Sequence, residues 1–242
     1  VSRHPSRANH FDQPPKATTG WPNPYRNVRQ SPGRRNQPPT HASIQSAILR
    51  GPHRPSHREG ARERHRLMAL YFDGAGQAVI AGARVLHISP DDILSKFFER
   101  SKEYITSDLT DPSADLTIDV VAMELSDGSF DMLICSHVLE HVSDDTAAIA
   151  EMYRVLTPGG MALVCVPVIQ GWLRTYENPK ITEPEDRLAH FGHIDHVRYY
   201  GRDIADRLAE PGFAVTEFQA SPEQCVNHAT HRGSSLYLAF KY

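Results

Sequence analysis

Four residues within six positions, Ser136, His137, Glu140 and His141, follow a short apolar run at residues 132–135. Either imidazole can take a proton from a nucleophile near neutral pH, so His137 and His141 are the candidate catalytic bases. The same two histidines have the i, i+4 spacing of a zinc pair. The glutamate of HVLEH, however, does not sit where HExxH requires it, and the helical pattern starts only after Ser143, which argues against a metal. A second group, His190, His193 and His196 with Asp195, has no thiolate and irregular spacing around HFG. Packing rather than metal binding is expected there as well, so no metal site is expected anywhere in the chain.

Strands and helices must present these groups. Residues 132–135 are too few for a helix and read as a strand that ends on the polar cluster. Ser143 is a candidate helix cap, with Asp144 and Asp145 in the first turn, and Ile149, Met152, Tyr153 and Leu156 recur at i, i+3, i+4, i+7. Pro158, Gly159 and Gly160 are expected to stop that helix. Residues 161–166 then form a second uninterrupted apolar run, as a parallel strand covered on both faces should. The unit is strand-helix-strand, right-handed by the crossover rule. Upstream, residues 83–89, 103–109 and 116–120 read as three further strands, and Ser89-Pro90-Asp91-Asp92 as a helix start with Ser89 as cap. Asp108 ends the second of those strands. Its two carboxylate oxygens can accept both hydroxyls of a ribose, although an aspartate opening the turn Thr110-Asp111-Pro112 is the competing reading. Residues 61–72 are helical, with Leu67, Leu70 and Tyr71 on one face and Arg64, His65 and Arg66 expected in solvent.

The ordered set SFDMLICSHVLEHV, a helix ending YRVL, and TPGG before a strand resembles the class I S-adenosylmethionine-dependent methyltransferases, in the type 11 methyltransferase group. The similarity runs from about Arg62 to the C-terminus and is closest to a subgroup with an HxxP loop, here His87-Ile88-Ser89-Pro90, in place of a glycine-rich first turn. The segment HFG…DHVRYYGRD is characteristic of the same subgroup. The resemblance implies an α/β, Rossmann-like fold: a seven-stranded, mostly parallel sheet with helices on both faces and the last strand antiparallel. Residues 213–218 and 235–240 then form a hairpin at the end of the sheet. It implies S-adenosyl-L-methionine as cofactor, held by His87, Ser89, Pro90, Asp108, Asp119, Val120, Ser136 and His137. Asp119 would accept from the adenine amino group, and Val120 would offer its backbone amide. Residues 168–200 are expected to be a substrate-facing insertion, with His193, Asp195, His196 and Arg198 closing the site over substrate. The resemblance leaves a small molecule or a saccharide open as the expected methyl acceptor, and the basic N-terminal composition adds an RNA.

The glycine-free first loop departs from the usual pattern and raises an alternative, a methyltransferase-fold binding module that has lost catalysis. A nicotinamide-dependent dehydrogenase is disfavoured because no GxGxxG follows the first strand.

Charge is unevenly divided along the 242 residues. Residues 1–66 hold 13 Lys or Arg against 3 acids and 10 of the 18 prolines, while the remainder holds 13 against 26. Residues 1–60 are therefore expected to be a disordered basic arm, with residues 61–242 forming the methyltransferase domain. Such an arm suits a solvated tail or an anionic partner, though only Phe11, Trp21 and Tyr25 could stack on bases. Three cysteines, Cys135, Cys165 and Cys225, cannot all pair, and two fall in expected core strands. This favours a reducing, cytoplasmic setting. No apolar run has the length of a membrane span or of a signal-peptide core, so no membrane partner is expected.

Overall fold

The computed structural model describes residues 62–242, residue 75 excepted. The expected arm, residues 1–60, lies outside the described residues. Helix α1 (Glu63–Asp73) and a short α2 (Gln77–Ile80) lead into β1 (Arg84–Ile88), then α3 (Asp92–Ser95), β2 (Glu103–Asp108), β3 (Leu116–Thr117) and β4 (Phe130–Ser136). After these come α4 (Asp145–Val155), β5 (Leu156–Cys165), β6 (Tyr176–Glu177), α5 (Pro184–Phe191), β7 (Arg198–Tyr199), α6 (Ile204–Ala209), β8 (Ala214–Gln219), α7 (Pro222–His228) and β9 (Ser235–Phe240). Seven strands form one sheet in the order β3-β2-β1-β4-β5-β9-β8. The pairs from β3 to β5 are parallel, and β9 runs antiparallel to both β5 and β8. This is the expected α/β sheet.

The central strands are apolar on both faces because helices cover both. Successive side chains of a strand point to opposite faces. Leu86, Ile88, Leu133 and Cys135 accordingly join one core with Ala148, Ile149, Met152 and Val155 of α4 and Ile204 and Leu208 of α6. Val85, Met132 and Ile134 join the other, with Leu67, Met68, Tyr71 and Phe72 of α1. Each such side chain, fully removed from water, contributes roughly 1.5–3 kcal/mol before its ordering cost.

Several boundaries differ from the sequence reading, for local reasons. The cap of α4 is Asp144, whose carboxylate accepts from the Ala147 amide at 2.9 Å, and not Ser143. Strand β5 begins at Leu156, before Pro158-Gly159-Gly160, because Gly159 takes φ +84° and its amide donates to the Lys241 carbonyl, keeping the bend within the strand. Helix α3 starts at Asp92, not at Pro90. Ser89 is drawn to β2 instead, its amide donating to the Ser107 carbonyl at 2.7 Å, and it adopts φ +50° rather than a cap conformation. On α1 the apolar face is Leu67, Met68, Tyr71 and Phe72, and His65 is buried, bonded to Asp91 at 2.5 Å. Arg64 pairs with the same carboxylate at 3.0 Å, and Arg66 donates to the Ala229 carbonyl. These three side chains thus tie α1 to the first loop and to the end of α7. The insertion is more regular than expected: β6 and β7 pair antiparallel, with α5 between them. Helix α7 was not anticipated, although Ser221-Pro222-Glu223-Gln224 carries the signal of a capping box with proline at the first helical position.

Candidate active site

Parallel strands of an open sheet end on one edge, and where the order turns from β1 to β4 the connections leave in opposite directions. A cavity of about 410 Å³ lies at this edge. Its walls come from four places: Ile88 and Ser89 after β1, Asp108 to Thr110 after β2, Ile118 to Val121 after β3, and His137, Val138 and His141 to Ser143 after β4. Asp108 at the end of β2 and Asp119 just after β3, eleven residues apart, therefore line the same cavity, together with the loop that carries the two histidines.

Asp108 combines the two roles weighed for it. Its Oδ1 accepts from the amides of Thr110 and Asp111 and from the Thr110 hydroxyl, which opens the turn, while Oδ2 accepts only the Ser89 hydroxyl, at 2.7 Å. Burial opposes ionisation, but these donors outweigh it and hold the carboxyl down to about 2. Oδ2 retains acceptor capacity toward the cavity. Asp119 is exposed and accepts from the Val121 amide at 3.1 Å through Oδ1. Val120 beside it is 5% exposed.

The loop after β4 is held in an uncommon conformation. His137 has φ +57°, and its amide donates to the Cys165 carbonyl at 2.8 Å, which turns the chain sharply out of the sheet. Its Nδ1 lies 2.9 Å from Oε1 of Glu140, a carboxylate only 1% exposed. The approach is off the hydrogen-bonding direction, so the contact is an ion pair when the ring is protonated; neither Glu140 oxygen has a hydrogen-bond partner among the described residues. Ser136 does not line the cavity, and its Oγ is likewise buried without a partner.

Besides Ser136, two of the expected cofactor contacts sit elsewhere. His87 is fully buried, its ring edge-on to Phe98 and Tyr104 and its Nδ1 2.8 Å from the Tyr104 hydroxyl. Alternation along β1 sends Ile88 toward the cavity side and His87 to the opposite face. Pro90 is not among the cavity walls either. Ser89 is, and its positive φ supplies the backbone shape for which glycine is otherwise the cheapest residue.

The insertion lies against the histidine loop. Arg198, expected to face substrate, is 3% exposed and fully engaged: its Nη1 donates to the carbonyls of Leu139 and Val142, its Nη2 to that of Ser143 and its Nε to Glu177. It supports the loop from behind. Arg207 joins Glu177 to Asp145, and the Tyr200 hydroxyl donates to Asp145 at 2.8 Å, completing a network that runs from the buried Asp145 to the exposed Glu177 and of which the sequence showed only Arg198 as a candidate. His193 and Asp195 are exposed. His190 points away from them, to the Tyr176 hydroxyl at 2.7 Å. His193 and His196 instead meet His141 of the cavity loop, with ring centroids 5.9 and 4.7 Å from it. Burial, with the neighbouring imidazoles, lowers His196 against the pull of Glu140.

The strand order, with an antiparallel strand inserted before the last, and the cavity at the switch point define the class I methyltransferase fold. Residues 74–164 match the family model described as Methyltransferase domain, of the type 11 group. Among solved structures, the YcgJ protein from Bacillus subtilis superposes with a TM-score of 0.51 at 16% identity, covering 74% of this chain and 99% of that one. A chain from the complex between the Haloferax volcanii Trm112 methyltransferase activator and a methyltransferase gives 0.50 at 16% identity, with 74% and 90% covered. A curated relative, an uncharacterized 37.1 kDa protein in transposon TN4556 of Streptomyces fradiae, is 28% identical over 145 residues, 57% of this chain. The chain spans only 39% of that relative's length.

Among the described residues no helix is long and apolar enough to cross a membrane. The three cysteines are free and buried. Burial pushes the Cys165 thiol up to about 12 and raises that of Cys135 as well, so neither is a nucleophile near neutral pH.

Proposed function

We propose that this chain binds S-adenosyl-L-methionine in the cavity at the β1–β4 edge and transfers its methyl group to a nucleophilic acceptor. The observation that carries the reading is the convergence of Asp108, Asp119 and His137 on one cavity. When bound, the cofactor supplies an electrophilic methyl on a sulfonium that is already a leaving group, so the protein's task is alignment and proton removal. Asp108 Oδ2, beside the Ser89 hydroxyl, is suited to ribose hydroxyls, and Asp119 with the Val120 amide to an adenine edge. Ser89 lines the cavity without a glycine because its backbone already holds the left-handed turn. That geometry favours retained cofactor binding over the binding-module alternative.

Of the two candidate bases, His137 is the better placed. It lines the cavity, and Glu140 at 2.9 Å stabilises the imidazolium that forms when the ring accepts the acceptor's proton. The acceptor, whether a small molecule, a saccharide or an RNA, is read as entering beside the insertion, where Trp172, Leu173, Leu188 and Ile194 are exposed. The free, buried cysteines support a reducing, cytoplasmic setting.

Isothermal calorimetry with S-adenosyl-L-methionine, S-adenosylhomocysteine and NAD tests the proposal. Saturable binding of the first two and not of NAD is the expected result. Binding without transfer to any class of acceptor, or no binding of either, would overturn the proposal in favour of the module reading.

A further inference from the structure

Three imidazoles far apart in sequence meet at the rim of the cavity: His141 after β4, and His193 and His196 in the turn between α5 and β7. One ring nitrogen from each lies within 4.8 Å of one from both others. The rings of His141 and His196 are near perpendicular, with centroids 4.7 Å apart, and His193 and His196 lie 4.9 Å apart. We propose that His141, His193 and His196 form a binding site for a divalent transition-metal cation of the zinc class.

Tautomer chemistry supports this. The Nδ1 of His196 lies 3.2 Å from the Phe191 carbonyl, which can only accept, so Nδ1 carries the proton and the lone pair is on Nε2. A carbonyl holding the far nitrogen in this way is the outer arrangement typical of metal-bound histidine. The Nδ1 of His193 accepts from the Asp195 amide at 3.2 Å, so that exposed ring must exchange this bond when it ligates through Nε2, and the Asp195 carboxylate, 3.9 Å from Nδ1, can then accept from the protonated Nδ1. At zinc–nitrogen distances of about 2.0–2.1 Å, tetrahedral ligand nitrogens stand roughly 3.3 Å apart, so the rings must close by an ångström or so. Exposed rings on the surfaces of two loops can do this by small side-chain rotations, since His141 and His193 are both exposed.

Neutral imidazoles without thiolates suit borderline cations such as Zn²⁺, Co²⁺ or Ni²⁺ rather than Mg²⁺ or Ca²⁺. Three protein ligands also leave one tetrahedral position open, the pattern of reactive rather than purely structural sites. His141 also lines the cavity, so the cluster sits at its rim. Spacing along the chain hides the site. It concealed His141 from the other two by more than fifty residues and made His190 look like a member.

The test uses the full chain, stripped with chelator and titrated with Co²⁺ and Zn²⁺ in the absence of cofactor. Histidines at 4, 10, 41, 53 and 57 supply other weak sites, so the comparison is between variants. The wild-type chain and His190→Ala should bind one equivalent with the visible absorption of four-coordinate Co²⁺. His193→Gln, at an exposed position, and His196→Ala should each weaken that site at least tenfold and lose the spectrum. Equal metal uptake by wild type and His193→Gln, or no stoichiometric binding by the wild type, would overturn the proposal. Since neither cofactor nor acceptor is present, that result would leave the methyl-transfer reading untouched, and failure of cofactor binding would leave the metal site untouched.

Discussion

Arg198 donates from Nη1 to the carbonyl oxygen of Leu139 at 2.8 Å, so the insertion holds the histidine loop through the loop's own backbone. Carbonyls left without donors at a tight turn are costly when buried, and here one guanidinium donates to three, those of Leu139, Val142 and Ser143, while pairing with Glu177. The DHVRYYG segment is on this account a brace for the cavity wall. Only its histidine faces the other imidazoles.

Replacing that brace should cost both stability and binding. Arg198→Met leaves the Val142 and Ser143 carbonyls without that donor and removes one of two guanidinium partners from Glu177, and about 3–5 kcal/mol of unfolding free energy should be lost in urea titrations. Arg198→Lys should recover only part, because an ammonium cannot span the same fork. A loss below 1 kcal/mol for the methionine variant would show that the network is ornamental.

Asp119→Ala should weaken S-adenosyl-L-methionine binding by more than about 1 kcal/mol, one charge-assisted hydrogen bond. Its unfolding free energy should change little, since the side chain is exposed and accepts a single amide. Calorimetry paired with thermal melts checks both halves, and unchanged affinity would mean that the adenine lies elsewhere.

His87 should make the protein sensitive to mild acid. Burial first, opposed by Asp91 and aided by His65, depresses it to about 4 in the folded chain, against about 6.5 when unfolded. A depressed folded value means that the unfolded chain takes the proton more readily, so this contribution is intact above pH 6.5 and lost progressively as the pH falls toward 4. The gap corresponds to on the order of 3 kcal/mol. His87→Leu should therefore match the wild type near pH 7.5 within packing differences and gain relative stability at pH 4.5, measured by denaturant titration at the two pH values. A parallel loss in both proteins would assign the acid sensitivity to other groups.

Ser89 holds φ +50° while its hydroxyl reaches Asp108. Ser89→Ala loses the bond and keeps the unfavourable backbone; Ser89→Gly loses the bond and relaxes the backbone. The glycine variant should be the more stable of the two by roughly 1 kcal/mol. Equal melting temperatures would remove the argument that this loop replaces glycine by geometry.

Apolar periodicity was enough to reveal the sheet. The unbroken runs of β1, β4 and β5 and the i, i+3, i+4 face of α4 depend on local side-chain direction, which a chain carries in its order of residues. The acids at the ends of β2 and after β3 were legible for the same reason, because each closes a strand whose end must reach one edge. Which face a strand-end residue meets was not. His87 and Ile88 are neighbours in sequence, yet only the paired sheet and its covering helices put the first in a dry core and the second at the cavity. The fate of Arg198 depended on carbonyls more than fifty residues upstream, and the His141, His193 and His196 cluster on two loops that approach only once the sheet has closed. Contacts of that range have no periodic trace, since nothing in the local chain changes until tertiary packing brings the partners within a few ångströms.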